Sequence, residues 1–471
     1  MSSTNFAGPP EKTFRDAIST VDRTGKRVWL YPKNPKGRYT RYRTIVAWAL
    51  IALMLTGPFM TIGGEPLLLF NIIERKFILF GKIFWPQDFY IFLLIMIVMM
   101  LFVVVFTVIY GRIFCGWICP QTIFMESVFR KIEYWIEGDW KTRMALDRAP
   151  LSVSKVAKKS LKHLVFFLIS FLIANVFLSY IIGVGAVMRM LAAPFEYAGS
   201  MAILLLFTAV FYWVFARFRE QVCTTVCPYG RLQGVLTDKN SLVVAYDYVR
   251  GESRGKLKVH EDRPAVGKGD CIDCNQCVHV CPMGIDIRNG TQLECTNCTA
   301  CMDACDFMMR NVGLPEGLIR MDSEAGIAEG KPFRFTARIL AYSAVLVVLL
   351  GFVGTLLALR SDVETSMLRT PGIMYQDMPD GRVGNLYNIK MINKTNREIN
   401  VELRSLTEEA ELQLVGKSLL IPAQGTAETA AFIVLDRAAI TKTKTKIRLG
   451  VYADQKELET LTTTFVGPVT N

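Results

Sequence analysis

All twelve cysteines of this 471-residue chain fall in four short motifs, and none is left over. Two motifs are Cys271-x2-Cys274-x2-Cys277-x3-Cys281-Pro282 and Cys295-x2-Cys298-x2-Cys301-x3-Cys305. This is the spacing of bacterial two-cluster ferredoxins. Three closely spaced thiolates can cap three irons of one cubane, while the fourth, beyond a bend, reaches the other. Cys271, Cys274, Cys277 and Cys305 are therefore expected to hold one 4Fe-4S cluster. Cys295, Cys298, Cys301 and Cys281 are expected to hold the second. Eight cysteines would also serve two zinc sites, but the doubled spacing is unusual for zinc. The second run departs from the pattern in one place, with Asp306 where the first has Pro282. His279, inside the first run, is expected beside a cluster rather than on it.

The other two motifs are Arg112-Ile-Phe-Cys115-Gly-Trp-Ile-Cys119-Pro120 and Arg219-Glu-Gln-Val-Cys223-Thr-Thr-Val-Cys227-Pro228. They repeat at an offset of 108 (223 minus 115), each after a pair of apolar stretches. Two spans plus one motif thus form a parallel internal repeat whose copies can converge on one site. Proline after the second cysteine argues against an unbroken helix and can open a new one, with Cys119 or Cys227 as N-cap. A thiol there is expected to have a lowered pKa. Soft thiolates select Cu(I), so Cys115, Cys119, Cys223 and Cys227 are candidates for copper binding, for a redox dithiol, or for a further cluster. The bland alternative is two buried structural cysteines per motif.

These motifs need a membrane scaffold. Five uncharged stretches are long enough to cross about 30 Å of hydrocarbon as helices: 44–63, 89–110, 164–187, 197–216 and 339–359. Loop charges alternate, with ten Lys and Arg in 1–43, three in 64–88, ten in 111–163 and one in 188–196. By the positive-inside rule, the N-terminus, 111–163 and 217–338 are expected in the cytoplasm and 360–471 outside it. The net charge of +12 then reads as topology and contact with membrane lipid. A nucleic-acid partner is not expected, since no basic stripe with interleaved aromatics appears. Residues 65–87 read as interfacial or re-entrant. Residues 118–140 read as an amphipathic helix, lying on the cytoplasmic membrane surface or packed on the cytoplasmic domain, with Ile123, Phe124, Val128, Ile132, Trp135 and Ile136 at helical spacing.

Beyond 370, about seven short alternating runs with turn signals suggest an immunoglobulin-like β-sandwich. Asn393-Lys394-Thr395 fits the glycosylation pattern. The expected fold class is a polytopic α-helical membrane protein of five spans with a cytoplasmic two-cluster ferredoxin-like insert and a C-terminal immunoglobulin-like β-sandwich. The expected domains are a basic N-terminus (1–43), a four-span region (44–216), a cytoplasmic segment (217–338) with the ferredoxin part at about 260–310, a fifth span (339–359) and a periplasmic domain (360–471).

This order of parts, with CGWICPQ after the second span, CPYGR after the fourth, and GNLYNIKMINKTNR and LLIPAQGTAE in the tail, resembles the CcoG/FixG/RdxA family of cytochrome c oxidase accessory proteins. The likeness covers nearly the whole chain. Relatives of the NapH type share the cysteine motifs but lack this tail. The resemblance implies a protein of the bacterial inner membrane that reduces Cu(II) to Cu(I) during assembly of the cbb(3)-type oxidase. Copper chaperones or an exporter and oxidase assembly factors would be its partners. It makes Cys115, Cys119, Cys223 and Cys227 the copper-handling residues, with two 4Fe-4S clusters and transient copper as cofactors.

Two other function classes fit the same residues. One is a quinol-linked electron-transfer subunit of the NapH type. The other is a non-enzymatic scaffold for oxidase assembly. The cytoplasmic electron donor is unnamed by the sequence, because no dinucleotide or flavin fingerprint opens a strand–helix unit.

Overall fold

The computed structural model describes residues 20–468 apart from 22–23, 25, 73–75, 85–87, 259–260, 331–332, 373, 416–418, 441 and 454–455. Among them, five helices are long and apolar enough to cross a membrane: Arg38–Phe59, Phe89–Tyr110, Val153–Ile182, Ala198–Phe218 and Ala337–Ala358. The chain divides into two compact units, 1–58 with 95–350, and 59–94 with 351–471.

In the first unit, two spans begin well before their apolar stretch, each for a local reason. The first starts at Arg38 rather than at 44. The Asp303 carboxylate accepts hydrogen bonds from Tyr39 N (3.1 Å), Thr40 N (2.7 Å) and Thr40 Oγ1 (2.7 Å). That is a helix N-terminus capped from a distant segment. A Cβ at Gly37 would overlap this carboxyl, so glycine makes room for the cap. The third span starts at Val153 rather than at 164, with Ser152 Oγ accepting from Lys155 N. Its added turns carry Lys159 and Lys162, which pair with Glu137 at 2.9 Å each. Gly183, at φ 82°, ends the helix, a conformation that costs glycine little.

Within the expected helix 118–140, residues 120–137 form one unbroken helical run, α-helical at Pro120–Ile123 and Arg130–Glu137 with a π-helical turn at Phe124–Phe129, and short helices at Ile113–Trp117 and Trp140–Arg148 flank it. Phe129 stacks on Phe215 of the fourth span (centroids 4.6 Å apart) and meets Phe166 of the third edge-on (4.9 Å). Ile123 and Phe124 are buried as their spacing predicts, but the last two turns depart from it. Arg130, Glu133 and Glu137 are buried, and Trp135 is 80% exposed.

The ferredoxin-type segment is larger than 260–310. Strands Val243–Tyr246 and Ile319–Asp322 pair antiparallel and close it. Its two runs repeat at 24 residues (295 minus 271), and the backbone repeats with them. Asp273 and Asn275 of the first run, and Asn297 and Thr299 of the second, all have φ between 51° and 62°. Such angles are uncommon outside glycine. The turn after each first cysteine is therefore built the same way twice.

The second unit holds the sandwich. One sheet runs Ala410–Val415, Thr426–Leu435, Val383–Asn393, Val363–Arg369, with Gln376–Asp377 added on Val383–Asn393. The other runs Leu420–Ile421, Ile399–Ser405, Lys444–Ala453, Lys456–Val466. Val363–Arg369 and Gln376–Asp377 add to the seven expected runs. Ile389, Met391, Val401 and Val451 pack between the sheets, and Tyr387 Oη donates across to Thr464 O (2.8 Å). Asn393 is fully buried and its Nδ2 donates to Arg397 O (2.6 Å), so the glycosylation pattern marks a turn, not an acceptor. Residues 65–87, expected to be interfacial or re-entrant, contain a three-stranded ribbon: Leu68–Asn71, Lys76–Leu79 and Lys82–Phe84.

Candidate functional site

The eight ferredoxin-run cysteines line two separate cavities. Cys271, Cys274, Cys277 and Cys305 border one. Cys281, Cys295, Cys298 and Cys301 border the other, with Cys277 between them. Each cavity thus collects three cysteines from one run and the last from the other. None of the twelve cysteines is paired in a disulfide. Burial pushes the Cys277 thiol up to about 12 and Cys295 to about 11, and raises Cys281, Cys301 and Cys305 as well.

Local structure explains the departure at 306. Cys281 follows the short helix Gln276–His279, where proline is harmless. Cys305 lies inside the twelve-residue helix Ala300–Asn311. Proline after it would remove an internal hydrogen bond and clash with the preceding turn. Asp306 Oδ1 instead accepts from Gly317 N (2.9 Å).

The two CxxxCP motifs share one backbone design. Cys119 and Cys227 are both N-cap residues in extended conformation, followed by proline at the first helical position. Cys119 N bonds to Phe114 O (2.9 Å) and Cys227 N to Val222 O (2.8 Å), the same step across the 108-residue repeat. The expected lowering of the thiol pKa is not found at Cys119, where burial raises it. Backbone hydrogen bonds from Gln121 and Thr122 at the helix start pull it down, but desolvation is the larger effect. Cys223 is pushed up to about 12, first by burial and then by Cys119 and Cys115, with Arg112 pulling the other way.

The motifs converge. Cys115, Cys119, Cys223 and Cys227 lie within electrostatic reach of one another. Cys115 Sγ donates to Gln233 Oε1 (3.5 Å) on the Pro228–Leu236 helix. A Cβ at Gly230 would stand 2.8 Å from Cys223 O and 3.0 Å from Arg112 Nη2, so glycine lets the copies touch. Among the described residues, no three Cys, His, Asp or Glu side chains sit at the spacing one metal ion requires. That holds for both cysteine sets.

The CxxxCP site abuts the second ferredoxin run. A Cβ at Gly116 would overlap Thr296 O and stand 3.0 Å from Cys298 Cα. Trp117 Nε1 donates to Asn297 O (3.3 Å), and Arg43 Nη1 donates to Cys298 O (2.9 Å). Arg112 bonds to Leu293 O, and its charge favours the ionised thiols of both Cys295 and Cys223. One guanidinium therefore serves both cysteine sets. Sequence reasoning noticed Arg112 as a motif residue but missed its partner, along with Gln233 and Gly116. The glycine inside CGWIC was the available signal.

Comparisons with known proteins follow the same division. Residues 218–324 match a 4Fe-4S dicluster domain, 92–143 a 4Fe-4S binding domain, and 353–468 the Ig-like fold at the C-terminus of FixG. The nitrogen fixation protein FixG of Rhizobium meliloti is 32% identical over 80% of this chain and 79% of its own. Protein RdxB of Cereibacter sphaeroides is 31% identical over 90% and 93%, and protein RdxA of the same organism 34% over 79% and 81%. With five membrane-type helices, iron–sulfur domains and this C-terminal fold, the chain belongs to the FixG/RdxA family of oxidoreductase-like iron–sulfur membrane proteins.

Proposed function

We propose that the protein reduces Cu(II) to Cu(I), one electron per ion, at the CxxxCP thiols, in support of copper delivery to a cbb(3)-type oxidase. The observation that carries this reading is the seating of Gly116 against Thr296 and Cys298, which places a soft-ligand thiol set directly beside the ferredoxin module. Cys271, Cys274, Cys277 and Cys305 would hold one 4Fe-4S cluster, and Cys281, Cys295, Cys298 and Cys301 the other. When bound, such clusters supply one-electron carriers. The chain's own part is to fix Cys298 through Arg43 and Arg112 through Leu293, and to bring four thiols, a ligand type that prefers Cu(I), within electrostatic reach of one another. Loop charges support placing the ferredoxin module in the cytoplasm and the sandwich in the periplasm, so that Cu(I) is released on the side of cytoplasmic chaperones or an exporter.

Anaerobically purified protein, reduced and freed of excess reductant, should convert Cu(II) to chelator-trapped Cu(I). Undiminished conversion after replacing all four CxxxCP cysteines by serine would sink the thiol assignment. A second reading is favoured by the match of 92–143 to a 4Fe-4S binding domain: the four thiols hold a further cluster. Iron content separates the two, at about eight atoms per chain for copper handling and about twelve for a further cluster.

A further inference from the structure

The reductant that feeds the ferredoxin module is the missing reactant of the proposed reaction, and one face of the first unit is built to receive it. Residues 33–38 run beside the two helices that carry ferredoxin-run cysteines. The groove between them, about 500 Å³, is floored by Gln276, Val280, Ala304 and Met308. These four alternate along the chain with Cys277, Cys281 and Cys305. The groove is therefore lined by chain neighbours of cysteines from both ferredoxin cavities. A second cavity of about 270 Å³ continues it, sharing Lys36 and Phe307 and adding Arg41 and Arg310.

The rim is cationic. Lys36, Arg38, Arg41, Lys131 and Arg310 are exposed, Lys33 is partly so, and Phe307 stands among them 56% exposed. The carboxylates nearby are turned inward or paired. Asp303 caps the first span, Asp306 holds Gly317 N, Asp139 binds Asn34 N, and Glu316 pairs with Arg310 at 2.8 Å. A cationic ring around an exposed aromatic is the complement of an acidic protein surface, and such complementarity speeds encounter more than it tightens binding.

We propose that this face docks a small, acidic, one-electron carrier protein, which passes electrons to the ferredoxin module through the Gln276–His279 and Ala300–Asn311 helices. Each encounter moves one electron: the carrier is oxidised by one, the chain is reduced by one, and no bond or proton is exchanged. The charge extends over residues 33–41, 131 and 310, wider than one small anion would need. Its floor is ferredoxin helix, which a lipid headgroup would have no reason to reach. The proposal rests on the reading that the module is reduced during turnover.

The test uses the anaerobic holoprotein in detergent and a reduced acidic ferredoxin as the probe, with cluster bleaching followed by stopped flow. The second-order rate should fall about tenfold as sodium chloride rises from about 20 to about 300 mM. The triple variant Lys36→Glu/Arg41→Glu/Arg310→Glu should slow it at least about tenfold, while reduction by dithionite is unchanged. Carbodiimide should crosslink the carrier to Lys33 or Lys36 of the unaltered protein. A rate indifferent to both salt and charge reversal overturns the proposal. So does a variant that loses affinity for anionic vesicles but keeps its rate with the carrier, which would make the face a lipid contact. Chelator-trapped Cu(I) formed with dithionite as electron source reports the copper reading separately.

Discussion

Glu133 and Arg219 form a two-pronged ion pair, Nη1 to Oε1 at 2.9 Å and Nη2 to Oε2 at 2.7 Å, with both side chains at most 2% exposed. Glu133 belongs to the arm that follows the first CxxxCP motif, and Arg219 opens the second. The pair therefore ties one copy of the repeat to the other. Arg219 is held at φ 57° while it does so, a conformation uncommon for a long side chain. Arg143 and Lys162 crowd the same carboxylate. Replacing Glu133 by glutamine leaves these cations buried without their counter-charge. A loss of about 3–5 kcal/mol is expected, measured as a fall in the thermal unfolding midpoint in detergent. A midpoint within error of the parent would show that the pair contributes nothing.

The same carboxylate sets an acid limit. Burial alone would raise its pKa, but Arg219 and Arg143 outweigh burial and hold it down at about 2 from the usual 4.5. A group with a depressed folded-state pKa stabilises above its unfolded value and loses that contribution as pH falls toward the folded one. The unfolding midpoint should therefore drop between about pH 4.5 and about pH 2, and the Glu133→Gln variant should show a shallower drop over the same window. Parallel curves would remove Glu133 from the account.

Gly116 offers a test of the contact between the two cysteine sets. Alanine there puts a methyl group into Thr296 O and against Cys298, so the first CxxxCP motif or the Cys295–Cys298 loop must move. Overpacking of this kind costs about 1–3 kcal/mol. Visible absorbance from the clusters should survive in Gly116→Ala, while Cu(II) reduction slows. Equal rates in variant and parent would mean that this seam does not carry electrons.

Features fixed by short spacing or long periodicity could be read from the chain: the doubled ferredoxin runs, the 108-residue repeat, the five spans and the alternating strands of 383–466. What escaped were features in which a distant partner overrides a local preference. The first span begins at Arg38 because Asp303, 263 residues away from Thr40, caps it. The Arg130–Glu137 helix buries its charges because Arg143, Arg219 and Lys162 wait for them, which no apolar pattern announces. The ribbon at 68–84 has strands of three or four residues, too short for alternation to declare itself. Arg112 was legible as a motif residue, but its position between Cys223 and Cys295 depends on a turn 181 residues further along.

The assignment of Cys281 and Cys305 across the two runs makes a sharp prediction, with a control built into the neighbouring residue. Cys281→Ser removes one wall of the cavity bordered by Cys295, Cys298 and Cys301 and leaves the other four-cysteine cavity whole. Iron should fall from about eight to about four atoms per chain, with one cluster signal lost from the electron paramagnetic resonance spectrum and the other unchanged. Asp306→Pro, which mimics the Pro282 of the first run, should do more damage although it removes no cysteine. It breaks the Ala300–Asn311 helix at about 3 kcal/mol or more and frees Gly317 from its carboxylate. That helix carries Cys301 and Cys305, which border different cavities, so both signals should weaken together. If Asp306→Pro instead weakened one signal and left the other intact, the crossed ligation would have to be redrawn with each run closing its own site.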